Sequence, residues 1–142
     1  NQAKKHPELV ELIINSGHKI GNHSFSHLNG FCTNNNKYLE DVEKAKKYID
    51  SDIFRPPYGK ITPFQIKNLK KEFKIIMWDI ISWDFKENIS SNKIYRNVIN
   101  NVENGSIILF HNNLKSYKNL KNSLEIILEK LKEKEYQFST TW

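Results

Sequence analysis

The chain is poor in several residue types, and each scarcity excludes something. It has one cysteine, Cys32, so neither an internal disulfide nor a cysteine-based zinc cluster can form. Any metal must be held by nitrogen and oxygen. Arginine occurs only as Arg55 and Arg96, little for a protein that grips phosphates. Glycine is scarce, at five residues, and no Gly-rich phosphate loop or G-x-S-x-G nucleophile elbow is present. No apolar run approaches the roughly 18–20 residues of a membrane span. The opening stretch, "NQAKKHPELV", has no apolar signal-peptide core.

What remains is a globular composition. The 142 residues are 38% hydrophobic and 12% aromatic, which suits one domain with a real core. The net charge is +6. Lysine carries it, and the lysines alternate with acidic residues in "EDVEKAKKYID" and "LEKLKEKEY". Such faces are solvated mixed-sign helix surfaces. They argue against a nucleic-acid partner and leave only a weak preference for polyanionic wall or matrix polymers.

Hydrophobic periodicity predicts alternating elements. "HPELVELIINSGH" reads as a helix, with Pro7 in the first turn, Leu9, Leu12 and Ile13 on one face, and Gly17 as the stop. "HKIGNH" reads as a strand ending at His23. A second helix, "NKYLEDVEKAKKYID", has Leu39, Val42, Ala45 and Ile49 on one side. A strand opens "DIFRPPYG" and breaks at the double proline. "TPFQIKNLKKEF" carries a capping-box pattern at Thr62 and Gln65, with Pro63 at the first helical position. "KIIMW" is a strand, and "SSNKIYRNVINNVENG" is a helix closed by Gly105. "SIILF" is a strand of the kind buried on both faces. "YKNLKNSLEIILEKLKEKE" is a helix, and "YQFSTTW" a final strand. The strict alternation predicts an α/β fold with a parallel sheet. Five strands are too few for a closed barrel of seven or eight.

Four polar clusters stand where predicted strands end, which is where parallel α/β folds build their sites. In "HSFSH", His23 and His27 are either a metal-binding pair or two exposed loop histidines. In "FRPPYG", the prolines either make a plain rigid turn or aim Arg55 and fix the Tyr58 N–H as an oxyanion donor. In "MWDIISWDF", the tryptophans either pack or stack on a sugar, while an aspartate orients a histidine. In "IILFHNN", His111 is either a structural residue or a general acid set by a carboxylate.

In this order "HSFSH", "RPPYG", "WDF" and "LFH" resemble the motifs of the polysaccharide deacetylases, the NodB-type enzymes of carbohydrate esterase family 4. Those motifs are H-[ST]-x-x-H, R-x-P-Y, Asp-Trp and Leu-x-His. The resemblance implies a distorted (β/α)7 barrel. Residues 1–142 would be its C-terminal two-thirds, without the first strand and its Asp-Asp motif. It implies that His23 and His27 bind a divalent metal, usually zinc, with the third ligand supplied by that other segment. The metal would polarise the acetyl carbonyl and acidify a water. Arg55 would hold a base from the same segment, and the Tyr58 N–H would stabilise the oxyanion. His111 would protonate the leaving amine, oriented by Asp84. Leu109, Trp83, Phe85 and Pro57 would line the acetyl or sugar pocket.

Two motif positions depart from the family. Phe85 stands where a tryptophan is usual, and Ile81 stands in place of an aspartate, with Asp79 offset. The expected activity is deacetylation of a GlcNAc-containing polysaccharide in the cell envelope or outside the cell. The chain by itself is expected to be inactive. Alternatives are an acetyl-xylan-type esterase and a glycan-binding pseudoenzyme. The motifs choose neither the glycan nor an oligomeric state.

Overall fold

The structure, a computed structural model, describes residues 1–140. They fall into two compact units, Asn1–Met77 and a second beginning at Trp78.

The first unit opens with helices α1 (Gln2–Lys5) and α2 (Pro7–Asn15). Pro7 sits in the first turn, and Gly17 takes φ +80° after the last, a left-handed position that glycine occupies without a Cβ clash. Helix α3 (Asn35–Lys46) starts where the Asn34 side chain accepts the N–H groups of Asn36 and Lys37. Strand β1 (Ile53–Phe54) runs into a short 3-10 turn, Pro57–Gly59. Helix α4 (Pro63–Leu69) has the expected capping box: Thr62 accepts from the Gln65 N–H, and the Gln65 side chain accepts from the Thr62 N–H. Strand β2 (Lys74–Ile75) pairs in parallel with β1, Ile53 opposite Lys74 and Phe54 opposite Ile75. The core gathers Tyr38, Val42, Phe54, Leu69 and Phe73.

The second unit contains β3 (Ile80–Ile81), α5 (Ser91–Ile99), β4 (Ile108–Leu109) and α6 (Tyr117–Glu133). Strands β3 and β4 are parallel, Ile80 opposite Ile108 and Ile81 opposite Leu109. Helices α5 and α6 pack Ile94, Val98, Ile99, Ile127 and Leu131 against Ile80. Each buried aliphatic side chain contributes about 1.5–3 kcal/mol.

The α/β class and the parallel pairing are as expected, but several elements differ. "HKIGNH" shrinks to a single parallel bridge between Asn22 and Phe54. "KIIMW" is a strand only at Lys74–Ile75, and β3 lies outside it, directly after Asp79. The Asp79 Oδ1 accepts the Ile107 N–H, which pins the entry of β4 beside β3. "SIILF" buries only Leu109, with Ile108 and Phe110 half-buried at the rim of the core. Helix α5 ends at Ile99, well before Gly105, where the Asn101 side chain donates to the Asn97 carbonyl and competes with further helical bonding.

Residues 136–140 form no strand. Instead the Tyr136 hydroxyl donates to the Val102 carbonyl. The end of that expected strand, residues 141 and 142, lies outside the described residues. Leu9, Leu12 and Ile13, expected to face a core, are 49%, 61% and 38% exposed, because α2 packs chiefly against the short α1. No helix among the described residues is long and apolar enough to cross a membrane.

Candidate functional site

The first unit builds a histidine loop from the end of the Asn22 bridge. Asn22 is buried and works at both ends. Its side-chain amide donates to the Val42 carbonyl (3.0 Å), and its Oδ1 accepts the Ser24 N–H (2.8 Å). Asp41, on α3, accepts the N–H groups of Phe25 (3.0 Å) and Ser26 (2.8 Å). Hydrogen bonds to a carboxylate are the stronger kind. Farther along, Gly30 lets the loop close on α4. A Cβ there would lie 2.3 Å from the Lys60 carbonyl oxygen, and the Gln65 amide donates to the Gly30 carbonyl.

On this frame His23 Nδ1 lies 2.6 Å from the carbonyl oxygen of Arg55. A carbonyl only accepts, so Nδ1 carries the proton and Nε2 the lone pair. Metal-binding imidazoles are oriented in this way. The His23 and His27 rings meet edge-on with centroids 4.9 Å apart, and Tyr58 stands 4.6 Å from His27. Two imidazole ligands therefore fit a divalent metal, but a catalytic zinc site takes three protein ligands. No group of three or more His, Cys, Asp or Glu residues that could hold a metal forms among the described residues.

Arg55 follows β1 directly. Its Nε is buried with no hydrogen-bond partner among the described residues. Burial pushes the guanidinium pKa below its ordinary value. A half-buried cation in that state calls for a carboxylate. Pro57, expected to line a pocket, is fully buried. It fixes the turn and offers no face to a sugar. Tyr58 is 61% exposed, at φ +58°.

The second unit builds a carboxylate–imidazole pair. Asp84 is fully buried in the turn that follows β3, three residues past Ile81. Its Oδ1 lies 2.7 Å from His111 Nδ1 and accepts the Ser82 hydroxyl (3.0 Å), while Oδ2 accepts the His111 N–H (2.8 Å). His111 stands two residues beyond β4. The arrangement puts a proton on Nδ1 and presents Nε2 as the atom that can exchange one. The Phe85 ring lies 4.7 Å from the imidazole and Trp83 lies 5.5 Å from Phe85. Leu109, which packs opposite Ile81, is buried.

Sequence reasoning missed the residues that hold both loops. Asn97 on α5 donates to the Ser82 carbonyl (3.2 Å). Asn119 on α6 donates to the carbonyls of Asp84 (2.7 Å) and Lys86 (3.0 Å). Asn22 and Asp41 do the same work in the first unit. The available signal was a short polar residue on the inner side of an amphipathic pattern, as Asp41 is beside Val42. A second regularity is conformational. The non-glycine residues with positive φ among the described residues are Ser24, His27, Tyr58, Trp83 and Glu135, and the first four lie inside the motifs.

Comparison with known proteins shows the family. The polysaccharide deacetylase family matches residues 1–73, just over half of the 142-residue chain. The chain belongs to the polysaccharide deacetylase family. A peptidoglycan-N-acetylglucosamine deacetylase of Bacillus cereus is 33% identical over 146 residues, which cover 97% of this chain and 53% of the relative. A solved structure of a peptidoglycan N-acetylglucosamine deacetylase, in complex with a naphthyl N-hydroxybenzamide, is 32% identical with a TM-score of 0.90. The match covers 96% of this chain and 67% of that one. A family 4 pseudoenzyme from Bacillus anthracis, 20% identical, shares the fold with a TM-score of 0.79 over 95% of this chain and 49% of its own. The polysaccharide deacetylase fold thus carries both active and inactive members, so turnover must be argued from the site.

Proposed function

We propose that this chain carries the imidazole metal ligands and the general acid of a metal-dependent hydrolase. That enzyme removes acetyl groups from an N-acetylated, GlcNAc-containing polysaccharide such as peptidoglycan. The observation that carries the reading is the Asp84–His111 pair: a fully buried carboxylate 2.7 Å from an imidazole nitrogen, with its other oxygen on the His111 N–H. Packing alone has no need of a buried carboxylate spent on orienting a half-exposed ring. The names of the relatives support the substrate class.

His23 and His27 would hold the metal, zinc by the preference of imidazole donors. When bound, it supplies Lewis-acid polarisation of the acetyl carbonyl and a more acidic water. The chain's own residues do the rest. His23 is held in one tautomer by the Arg55 carbonyl. Arg55 receives a carboxylate that acts as base. The backbone N–H of Tyr58 faces the developing oxyanion. His111 delivers a proton through Nε2 to the leaving nitrogen, and Asp84 stabilises the imidazolium from which the proton is passed.

The unpartnered Arg55 Nε and the two-imidazole donor set favour a second statement: the chain needs further carboxylates for turnover, and without them it binds glycan only. Zinc content after dialysis tests the first part. Zinc retained by the chain and lost in His27→Ala would mark the two imidazoles as metal ligands, and no zinc in either would leave them as half of a site that needs the further carboxylates. Acetate release from chitin oligosaccharides tests the second. None is expected from the 142-residue chain with zinc added, and ready release would overturn the incompleteness.

A further inference from the structure

The second unit holds a hydroxyl that the turn after β3 does not need. Ser82 is fully buried. An ordinary serine turn uses its side-chain oxygen as an acceptor for the N–H two residues on. Ser82 does so, with the Asp84 N–H at 3.3 Å. The hydroxyl proton is then left for another acceptor. It goes to Asp84 Oδ1 at 3.0 Å, the oxygen that also receives His111 Nδ1. The residue between them, Trp83, takes φ +65°, a conformation that bulky residues seldom adopt. It folds the chain back so that the Ser82 hydroxyl meets the carboxylate two residues later.

The carboxylate's donors among the described residues are unequal. The His111 N–H pins Oδ2 to the backbone (2.8 Å) and leaves the carboxylate to pivot about that oxygen. The imidazole cannot stop the pivot, because it moves with the oxygen it binds. The Ser82 hydroxyl can. Ser82 is itself tied on both sides: its N–H donates to the Leu109 carbonyl (3.1 Å), and its carbonyl accepts from Asn97 on α5 (3.2 Å). The bonds close a circuit from Leu109 through Ser82 and Asp84 to His111, two residues beyond Leu109. Phe85, 4.7 Å from the imidazole, is a wall and gives no direction to a hydrogen bond. A side chain that is 30% exposed has room to swing without such a circuit.

We propose that Ser82 is a positioning residue for the reaction. Through Asp84 it fixes the aim of the His111 imidazole, and so the point at which Nε2 gives up its proton. This rests on the general-acid reading of His111 and adds a member to it. The hydroxyl touches neither the substrate nor the transferred proton.

The test is side-chain NMR of the 142-residue chain labelled at its histidine nitrogens, with His111→Gln to assign the signals. Two readouts are followed: exchange of the His111 Nδ1 proton with water, and the ring-current shift that Phe85 imposes on the imidazole protons. Ser82→Ala should speed the exchange about tenfold and diminish the ring-current shift. Ser82→Thr keeps the hydroxyl and should restore both. Asn97→Ala takes a hydrogen bond from the Ser82 carbonyl and leaves the hydroxyl, so it should lower the denaturation midpoint with both readouts kept. If the alanine variant does not fold, Ser82→Cys carries the same test, being close in size with only a weak S–H donor. Readouts unchanged without the hydroxyl, lost equally in Ser82→Thr, or altered as much in Asn97→Ala overturn the role of Ser82 and leave the general-acid reading standing. An unaltered chain with no protected Nδ1 proton on His111 overturns both.

Discussion

Around His111 the buried carboxylate has both oxygens satisfied by groups of its own unit. Around His23 and His27 the matching cation, Arg55, has a buried nitrogen with no partner among the described residues. Both clusters stand just past strand ends, on loops held by amide or carboxylate side chains of neighbouring helices. They differ in completeness. The general-acid pair is a finished local structure. The imidazole cluster brings two donors close to a cation whose Nε finds no partner among the described residues.

The sharpest way to break this contrast is to delete each charge. Asp84→Ala strands the His111 N–H, its ring nitrogen and the Ser82 hydroxyl. It should cost about 3 kcal/mol, read as a fall in denaturation midpoint of the transition that involves the second unit. Arg55→Met removes a half-buried charge whose Nε has no partner among the described residues. It should leave stability unchanged or raise it by up to ~1 kcal/mol. Comparable losses from the two substitutions would show that the clusters are equally self-contained.

Smaller effects sharpen the comparison. Asn119→Ala frees the carbonyls of Asp84 and Lys86 and should cost about 1–2 kcal/mol, with faster amide exchange at Asp84 and Lys86. Full protection there would show that the clamp is dispensable. Asp41→Ala releases the N–H groups of Phe25 and Ser26. It should cost about 1 kcal/mol and weaken zinc retention by roughly tenfold or more, since supporting groups set the aim of metal ligands. Zinc binding unchanged beside a measurable stability loss would separate the loop's anchoring from its donors. The smallest change is expected from Trp83→Gly. The relief of a left-handed backbone offsets the loss of a partly exposed ring, so the net should stay within about 1 kcal/mol. A much larger loss would make Trp83 a packing residue.

Much of this was legible in the residues. The Thr62–Gln65 capping box, the proline starts and the positions of Arg55 and His111 just after a strand all follow from local chemistry, which acts over three or four residues. The strands were harder. Parallel ladders join segments far apart in sequence, so the extent of pairing is set by tertiary approach. "HKIGNH" keeps one bridge and "KIIMW" only its first two residues as a strand for that reason. The clamps were illegible for a related cause. Asn97 and Asn119 sit among polar and charged helix residues that read as solvated, and only folding shows that each amide reaches a loop carbonyl. Arg55 and His111 were visible as chemistry. The emptiness beside one and the completeness beside the other were not.

The left-handed residues have a consequence for how such a protein changes under selection. At Ser24, His27, Tyr58 and Trp83 glycine would relax the backbone. Each replacement is therefore open to any screen that rewards heat resistance alone. At His27 it would also erase a proposed metal ligand, and at Trp83 the ring that meets Phe85, whereas Tyr58 serves the proposed chemistry through its backbone N–H alone. A library sorted by melting temperature should accumulate glycine at these four positions and drift toward a sturdier, catalytically silent fold. One sorted by acetate release in a complete enzyme should hold His27.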